Sequence, residues 1–387
     1  MRKEPVVRKD TRYVGLDVHA ETIAAAVAES DGEVRDLGVI PNRPELIRRL
    51  MKRLGPARQL KVCYEAGPTG YVLYWQLRGM GIHCEVVAPT LVPVKAGDRV
   101  KTDRRDAMKL ARSYRSGDLT AVWVPDAAHE ALRDLVRARE AAQSDHLRAR
   151  HRLQKFLLRH GRRAPERIKR WTERQLDWVR HEVSFEAEAQ QAVLTDYLSE
   201  VDHARERVRR LERAIDEAIE AAPATQRAVI EALQSLRGIA KVSAVSIVAE
   251  VGQLSRFARP RQLMGYSGAV SREDSSGGRI RRGSITRTGN AHLRRIVGEA
   301  AWAYRHKPSV QGSLRVRQEG LPEPVKEIAW KAQHRLHGRY RRLLGKGKAK
   351  QQVITAVSRE LLGFIWAIGV HVERAMAVEG GKKHRAA

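Results

Sequence analysis

An α/β domain followed by mainly helical regions is the fold class that the sequence predicts. Short β-prone segments alternate with amphipathic helices up to Pro125, whereas the chain beyond it is rich in Arg, Leu, Glu and Ala. A loop rich in Gly, Ser and Arg interrupts the helical pattern much later. At 387 residues the chain exceeds the usual size of one core. We therefore expect four parts: an α/β domain at 1–125, a helical connection at 126–225, a third unit at 226–345, and a C-terminal helix with a disordered basic tail at 346–387.

The first 125 residues contain strands and helices in an order typical of a mixed sheet. Two strands open the domain, and the turn Ser30–Glu33 follows the second strand. Beyond the turn, apolar residues recur alternately with the helical and the strand period. We expect strands at Tyr13–Asp17, Thr22–Val27, Leu60–Tyr64 and Ile82–Val87, and helices at Pro44–Arg53, Tyr71–Arg78 and Arg104–Ser116. A layer of this kind places a functional site at its strand ends.

Two long helical stretches follow, at Ala131–Val183, with one loop signal at Gly161, and at Phe185–Ala221. The second carries apolar residues near heptad spacing, so we expect the two stretches to form an antiparallel coiled coil. Those apolar residues are Val193, Leu194, Tyr197, Leu198, Val201, Val208, Leu211 and Ile215. Between the stretches lies a strongly basic elbow, Arg159–Arg174, which includes Arg162, Arg163 and Trp171. The elbow is interpreted as a nucleic-acid contact, with a solvated turn as the alternative.

The third unit combines short helices with a flexible loop at Ser271–Thr288. The helices are expected at Ile230–Ser235, Val242–Val251, Pro260–Met264 and Ala291–Tyr304. The segment Leu236–Gly252 resembles a helix-hairpin-helix element, although Ala240 stands where a second glycine is usual, and an ordinary packed helix pair is the alternative. After His306 the chain is again helical and basic, and it ends in a polar GGKKHRAA tail that we expect to be disordered.

The charge of the chain indicates a polyanionic partner. Lys and Arg together number 73 against 45 Asp and Glu, which gives a formal net charge of +28 at pH 7. Each phosphate that a basic side chain neutralises releases counterions, so this excess favours nucleic acid without any sequence readout. The basic residues form long clusters, one of them at His334–Lys350, which a merely soluble basic protein does not need.

The sequence gives no indication of a membrane or of an oxidising compartment. The apolar stretch Val353–Val370 is interrupted by Arg359 and Glu360. The opening MRKEPVVRKD lacks the apolar core of a signal peptide. Cys63 and Cys84 lie in apolar runs, which is typical of reduced core thiols. We expect a cytoplasmic protein, associated with the bacterial nucleoid, that has no membrane partner.

Four carboxylates stand where a site would form. Asp17 lies at the end of an apolar strand in YVGLDVH, and Glu65 follows another strand in VCYEAGPTG. Asp103 and Asp106 are three residues apart at a helix start in VKTDRRDA, so both can face one point. Grouped carboxylates suit Mg²⁺, and two such ions can clamp the attacking and leaving oxygens of a phosphodiester. The alternative is that Asp17 is a satisfied core group and that Asp103 caps its helix.

Basic residues frame these acids in the sequence. A polyanionic substrate requires such a frame, because its phosphates would otherwise be repelled by the carboxylates. The framing residues are Lys95, Arg99, Lys101, Arg104 and Arg105. We assign the last three to nucleic-acid binding.

The segment Met264–Ala303 combines a loop of small residues with arginines ahead of a helix. Glycines let a backbone approach phosphate closely, and arginines can clamp it. The arginines concerned are Arg279, Arg281, Arg282 and Arg287. A serine of this loop would become a nucleophile only if a metal or a nearby base eased its deprotonation. On composition alone, a merely flexible loop is the alternative.

The motifs GLDVH, YEAGPTG and KTDRRDA, together with the serine segment, look like those of the DEDD insertion-sequence transposases, the "IS one-ten" family, which includes the Piv/MooV-type DNA invertases. The resemblance covers nearly the whole chain. It implies an RNase H-like domain of the RuvC type, a coiled-coil connection, and a C-terminal transposase domain whose serine links covalently to DNA. It also implies a structured bridge RNA that chooses donor and target. Carried over, the acidic tetrad is Asp17, Glu65, Asp103 and Asp106, and the nucleophile is Ser276, with Ser275 as second choice.

These observations predict a Mg²⁺-dependent DNA transposase that cleaves and rejoins the strands of an insertion sequence. We expect it to work as a dimer or tetramer, because a long connection separates the acids from the serine in sequence. The alternatives are a RuvC-like junction nuclease that uses water, a site-specific DNA invertase, and a non-enzymatic DNA- or RNA-binding protein. Loss of function on changing Ser276 separates the first from a transposase, and dependence on Mg²⁺ separates the last.

Overall fold

The structure of the protein is a computed structural model that describes residues 10–93, 97, 101–166, 168 and 171–385, of which 380–385 are described by their backbone alone. It divides into two compact units, Met1–Val124 and Pro125–Ala387. The first is α/β, and the described part of the second is helical apart from one short hairpin, as the sequence predicted. The finer division of the second unit at 225 and 345 stays a prediction.

A five-stranded mixed sheet forms the centre of the first unit. Its strands are β1 Arg12–Val18, β2 Thr22–Glu29, β3 Val34–Pro41, β4 Leu60–Glu65 and β5 His83–Val87. The strand order is β3-β2-β1-β4-β5. Strand β1 pairs antiparallel with β2 and parallel with β4, while β2 pairs antiparallel with β3 and β4 pairs parallel with β5.

The edge strand β3 is an element that the sequence pattern did not predict. Its alternation of buried and exposed residues is weak, and Val39 is 58 % exposed. Gly38 has a φ of +81°, and the pairing with β2 shifts register between Ala25 and Ala26. A bulged edge strand with two partly solvated faces lacks the clean period of two that identifies a strand from sequence. The opening meander therefore has three strands.

Helices cover the two faces of the sheet. They are α1 Pro44–Leu54, α2 Val72–Gly79 and α3 Asp103–Ser116. On one face Leu16 and Tyr64 belong to a core that includes Leu50 of α1 and Leu77 of α2. On the other face Tyr13 and Cys63 pack with Leu110, Ala111 and Tyr114 of α3. Cys63 and Cys84 are buried free thiols, as expected.

A pair of long helices opens the second unit: α4 Ala127–Arg159 and α6 Glu188–Glu220, with the shorter α5 Glu173–Glu182 between them. Arg139 pairs with Glu212 at 2.6 Å, and farther along α4 Arg152 pairs with Glu200 at 2.7 Å. The partner number falls as the α4 number rises, so α4 and α6 run antiparallel. Val193, one of the apolar residues near heptad spacing, is 36 % exposed. Helix α4 ends at Arg159, just before Gly161, where the sequence carries a loop signal.

The rest of the second unit is a helical core. It comprises α7 Ala224–Leu233, α8 Lys241–Val251, α9 Pro260–Tyr266, α10 Ala291–Ala301, α11 Ser313–Gln318, α12 Glu323–Gly345 and α13 Lys350–Arg385. The helix predicted at Ile230–Ser235 is the end of α7. Gly238, between α7 and α8, has a φ of +84°, and a Cβ there would lie 2.4 Å from the Ala300 carbonyl oxygen. A side chain at this turn would collide with α10, and the choice between an ordinary packed helix pair and a helix-hairpin-helix element stays a prediction.

The C-terminal helix α13 corrects one prediction and qualifies another. It continues to Arg385, through most of the tail that we expected to be disordered. Its residues Lys350–Glu379 are long and apolar enough to cross a membrane, but 56 % of the most apolar stretch is buried inside the protein. Val357, Leu361 and Ile365 lie fully within the core of the second unit. The helix is therefore explained as a core element.

Candidate active site and serine hairpin

Asp17 and Glu65 lie side by side at the carboxyl ends of two parallel strands. In the register of β1 and β4, Leu16 is opposite Tyr64, and each acid is the next residue on its strand. Side chains alternate along a strand, so Asp17 faces the same side as Tyr13, and Glu65 the same side as Cys63. Both therefore point to the face that α3 covers.

Gly15 lets α3 lie directly on β1. A Cβ at this position would come within 2.4 Å of the Ala107 carbonyl oxygen and the Ala111 nitrogen. The contact fixes the first turn of α3 beside the end of β1, one turn before Ala107. Asp103 and Asp106 are in that first turn, so a glycine two residues before Asp17 determines how the four acids meet.

Thr102 is the N-cap residue of α3, so the alternative that Asp103 caps this helix is wrong. The Thr102 hydroxyl accepts the backbone N–H of Arg105 at 3.3 Å, and Asp103 is the first residue of the helix proper. Carboxylates in a first turn also interact favourably with the helix dipole. Asp103 is thus left with its side chain toward the site, 58 % exposed.

His19 joins the acids. Its Nε2 is 3.4 Å from Oδ2 of Asp17 and 3.6 Å from Oδ1 of Asp103. The candidate ligand atoms of Asp17, His19 and Asp103 all lie within 4.8 Å of one another. No role was predicted for this histidine of the GLDVH motif; it stands two residues after Asp17 and one residue beyond the end of β1, so the alternation of the strand, continued by one residue, is the signal that could have found it.

Negative charge predominates in the site. Burial raises the pKa of Asp17 above its ordinary value, the Asp103 and Asp106 carboxylates add to the rise, and His19 opposes it. Burial also raises the pKa of Glu65, and Asp17 and Asp106 raise it further. Asp17 is therefore close enough to interact with each of the other three predicted acids. Hard oxygen donors that repel one another in a half-buried setting fit a divalent cation.

The predicted loop at Ser271–Thr288 is a short hairpin. Its strands are β6 Ser271–Glu273 and β7 Arg282–Ile285. The tip is a four-residue turn in which the Arg279 N–H donates to the Ser276 carbonyl oxygen at 3.2 Å. Gly277 follows Ser276 with a φ of +58°. A positive φ at the first central position matches the twist of a hairpin, so this glycine makes the turn possible.

The two adjacent serines have different surroundings. The Ser275 hydroxyl donates to the Glu273 carboxylate at 3.1 Å and accepts the Arg281 N–H at 3.2 Å. Within the described residues, the Ser276 side chain has no hydrogen-bond partner, and it is exposed. The Ser275 hydroxyl therefore helps to hold the hairpin together, whereas the Ser276 hydroxyl is available to a ligand.

The root of the hairpin is anchored in the core. Gly268 and Gly289 both have positive φ, and a Cβ on either would lie 2.2 Å from a carbonyl oxygen, of Thr288 and Tyr266 respectively. Asn290 caps α10 and donates from Nδ2 to Glu250 Oε2 at 2.7 Å. Only 1 % of the Glu250 side chain is exposed. The exposed tip thus projects from a firmly packed base.

Comparison with known proteins decides the family. A DEDD transposase model of the IS110 type, described as Transposase, matches residues 14–161, and a model described as Transposase IS116/IS110/IS902 family matches residues 230–314. A Sinorhizobium fredii protein named as a candidate transposase, y4qE, is 45 % identical over 360 residues, which are 92 % of this chain and 88 % of that one. This chain belongs to the IS110-type transposase family. The transposase is also 33 % identical, over 87 % of its length and 97 % of the other, to the "Transposase for insertion sequence element IS1533" of Leptospira borgpetersenii.

The basic frame of the transposase's acidic site is partly occupied by internal ion pairs. Arg104 pairs with Asp36 on β3 at 2.9 Å, although 68 % of its side chain stays exposed. Lys101 is 3.8 Å from Asp106 and 88 % exposed. Arg105 is exposed at the start of α3. Lys95 and Arg99 lie outside the described residues. The nucleic-acid roles of this frame stay predictions.

The remaining predicted contacts lie on the second unit of the transposase. Arg279, Arg281, Arg282 and Arg287 are all exposed on or beside the hairpin. In the elbow, Arg162 donates to the Ser184 carbonyl oxygen at 2.9 Å and lies over the Phe185 ring, so it also holds the elbow closed. Arg163 is exposed. Arg150 stacks 4.2 Å from the Trp171 ring centre, which gives Trp171 a structural role as well.

Proposed function

We propose that this transposase cleaves and rejoins DNA strands of an insertion sequence with two sets of residues: the acidic tetrad Asp17, Glu65, Asp103 and Asp106, and the nucleophile Ser276. The observation that carries the proposal is the convergence of the four carboxylates at one edge of the sheet. Burial raises the pKa of Asp17 and of Glu65, so a bound cation would stabilise the charged form of both carboxylates. An RNase H-like domain of the RuvC type is the fold that this arrangement supports.

Asp17, Glu65, Asp103 and Asp106 would hold Mg²⁺, and His19 is placed to join them. When bound, the metal supplies positive charge to the phosphate oxygens and eases deprotonation of an attacking hydroxyl. Lys101 beside Asp106 offers the incoming phosphate a compensating charge. Carboxylates, rather than thiols, make up this donor set, and this suits a hard cation such as Mg²⁺.

The serine step balances without any external energy source. The Ser276 Oγ forms a bond to phosphorus, and one bridging oxygen of the phosphodiester leaves as the hydroxyl of the other strand end, taking up the serine's proton. The new ester keeps the energy of the broken bond, so a second strand hydroxyl can reverse the step and reseal DNA. We choose Ser276 over Ser275 because the Ser275 hydroxyl is engaged with Glu273 and the Arg281 N–H.

The wider assignments rest on charge and on the family. We propose that the basic elbow with Arg163 and the stretch His334–Lys350 contact nucleic acid, either the DNA or a structured guide RNA, since the excess positive charge suits more than one polyanion. The long antiparallel pair of α4 and α6 supports a coiled-coil connection. We also propose a cytoplasmic location near the nucleoid, where the DNA lies.

The experiment is a denaturing-gel assay for covalent protein–DNA adducts, with Mg²⁺, element-end DNA and the flanking noncoding RNA. Wild type is compared with Ser276→Ala, Ser275→Ala and Asp17→Ala, and a parallel set omits the RNA. We expect an adduct that both Ser276→Ala and Asp17→Ala abolish and that Ser275→Ala retains. Equal adduct without the RNA would remove the guide from the proposal.

Other outcomes identify the alternatives. Cleavage without adduct, indifferent to both serines, would make the protein a RuvC-like hydrolase. Binding without any Mg²⁺-dependent cleavage would leave a non-enzymatic nucleic-acid binder. Inversion of a segment between two sites, with no insertion, would make it an invertase of the same family.

The proposal that the working form is a dimer or tetramer has its own test. Asp17→Ala and Ser276→Ala chains are each inactive on this account. Mixing them should restore part of the strand transfer if one chain's acids work with another's serine. A mixture as inactive as its components would contradict that arrangement.

A further inference from the structure

A basic groove lies beside the serine hairpin, on the side away from its tip. It is a cavity of about 650 Å³ between the base of the hairpin and the first turns of α13. The hairpin contributes Arg282, the segment that follows the hairpin contributes Arg287, and the helix side contributes Lys348 and Arg359. Two amides, Gln351 and Gln352, complete the polar lining.

The groove contains positive charge without matching negative charge. None of its described lining residues is a carboxylate. Arg282 is 3.4 Å from Glu273 on the neighbouring strand, but Arg287, Lys348 and Arg359 have no ion-pair partner among the described residues. Glu360, next to Arg359, is already engaged by Arg335 and Arg339. Burial and the charge of Arg287 lower the pKa of neighbouring Arg294, which reflects the same excess.

The backbone adds to the evidence that this geometry is specific. Arg287 has a φ of +59°, a conformation that residues other than glycine rarely adopt. The Arg287 N–H donates to the Gly268 carbonyl oxygen at 3.1 Å, which holds this conformation at a residue that lines the groove. Unusual backbone conformations of this kind persist where the surroundings enforce them, commonly at ligand sites.

We propose that this groove binds the phosphate backbone of the DNA strand that Ser276 attacks, with Arg287, Lys348 and Arg359 as positioning residues. The inference rests on the proposed function. Ser276 and Arg282 belong to one ribbon, and about four residues of strand separate the tip from the groove, roughly 13 Å at strand spacing. One strand of DNA advances about 3.4 Å per nucleotide, so the groove would hold phosphates roughly four nucleotides from the reacting one.

DNA is favoured over RNA by this continuity. A strand that bonds to Ser276 must leave the tip in some direction, and the groove is the cationic path along the same hairpin. The amides of Gln351 and Gln352 can donate to phosphate oxygens without adding charge. The proposed reaction requires the attacked DNA strand to lie along the hairpin, but it does not require a guide RNA to do so.

The test measures how binding depends on salt in a protein that cannot cleave. In a Ser276→Ala background, Lys348→Gln/Arg359→Gln is compared with Lys307→Gln/Arg374→Gln, which removes one Lys and one Arg outside the groove. Fluorescence anisotropy gives the affinity for element-end DNA and, separately, for the flanking RNA. The salt concentration is varied between about 50 and 200 mM, a range over which phosphate contacts make the affinity fall steeply. Thermal melts confirm that each variant is folded.

For two lost phosphate contacts, the slope of log K against log salt should fall by roughly 1.4 to 1.8 for DNA. At about 100 mM salt this corresponds to roughly 25- to 60-fold weaker binding. The control pair should retain the wild-type slope. If Arg359→Gln does not fold, Lys348→Gln alone should lower the slope by about half as much.

Three results would overturn the proposal: an unchanged DNA slope, an equal fall in the control pair, or a fall confined to RNA, which would make RNA the occupant. The test is independent of cleavage. A fall in the DNA slope without any serine adduct in the earlier assay would keep the groove and remove the nucleophile, whereas an adduct with an unchanged slope would do the reverse.

Discussion

The acidic site and the serine hairpin are built in opposite ways. The acids stand on a sheet and a helix whose register and close packing at Gly15 leave little freedom. The serines stand at the exposed tip of a two-stranded ribbon, and only the root of that ribbon is held in the core, through Asn290 and Glu250. A site that must hold a cation needs fixed ligands, whereas a nucleophile that must reach a phosphate on a large polymer can tolerate a mobile support.

This difference has a consequence for mutations. Changes in the scaffold of the acidic site should affect both stability and chemistry, because the same contacts serve both. Changes at the hairpin tip should affect chemistry alone, and changes at its root should affect stability first.

The largest expected effect is on chemistry at the acidic site. Asp17→Asn should reduce DNA cleavage by more than about 100-fold, because it removes a charged oxygen ligand. Losing a group that only hydrogen-bonds to a metal ligand already costs up to about 100-fold in activity. Asp17→Asn should not lower the free energy of unfolding, since burial and then repulsion by Asp103 and Asp106 disfavour the charge that it removes. Gel assays and urea unfolding measure the two effects. Cleavage within about tenfold of wild type would remove Asp17 from the site.

At the hairpin root, Glu250→Gln should lower the free energy of unfolding by about 3 kcal/mol. Glu250 receives Arg137 at 2.8 Å and Asn290 at 2.7 Å in a buried setting, and breaking one partner of such a group leaves the other charges unmatched. Glu212→Gln, on the partly exposed pair with Arg139, is the control and should cost less than about 1 kcal/mol. Similar losses in both variants would contradict the importance of the root.

The same carboxylate predicts an acid dependence. Although burial acts in the opposite direction, the hydrogen bonds and charges of Arg137, Asn290 and Arg133 hold the pKa of Glu250 below its ordinary value. Its contribution to stability is therefore complete above the unfolded-state pKa of about 4.3 and is lost as the pH falls toward the lower folded value. Wild type should lose more stability than Glu250→Gln between neutral pH and about pH 3. Parallel curves for the two proteins would refute this.

Gly15→Ala tests whether the α3 contact sets the acidic site. The added Cβ would force α3 away from β1, at a cost of about 1 to 3 kcal/mol, and should reduce cleavage because Asp103 and Asp106 move with the helix. Gly79→Ala, where a Cβ meets nothing within 4 Å, is the control and should be neutral or slightly stabilising. Unimpaired cleavage in Gly15→Ala would mean that the four acids can meet without this contact.

The smallest expected change in stability is at the hairpin tip. Gly277→Ala places a side chain at a φ of +58° with open space around it, so the strain of roughly 1 kcal/mol can relax within the exposed turn. The free energy of unfolding should hardly change, while the yield of the Ser276 adduct should fall because the turn is altered. A drop in stability as large as that of Gly15→Ala would erase the contrast between the two regions.

The positions of the four acids at element ends could be predicted because they depend on short-range sequence patterns. Apolar strands before Asp17 and Glu65 and a helix start at Asp103 give three element ends, and parallel neighbours bring such ends together. The roles of His19 and Gly15 were not predicted from the sequence, because they depend on which face of the sheet α3 covers. Thr102 was overlooked as the cap, although its side chain stands at the usual position before the helix.

Elements with weak or mixed patterns were predicted poorly. Strand β3 lacks alternation, and the short strands of the hairpin are hidden in a sequence of Gly, Ser and Arg. The helical continuation of α13 was missed because its last residues are polar, and a helix already formed by core packing can extend past the apolar part. The ion pair of Arg104 with Asp36 depended on the unpredicted strand.

By itself, the sequence determined the fold class, the acidic motifs, the polyanionic partner and the resemblance to a transposase family, since all of these depend on composition and on short-range spacing. Only the tertiary structure decided that His19 stands among the acids, that Ser275 is engaged while Ser276 is available, and that Arg287, Lys348 and Arg359 share one groove. Each of these depends on residues far apart in sequence or on the direction of one side chain. Those are set by packing and backbone hydrogen bonds, which a linear pattern does not contain.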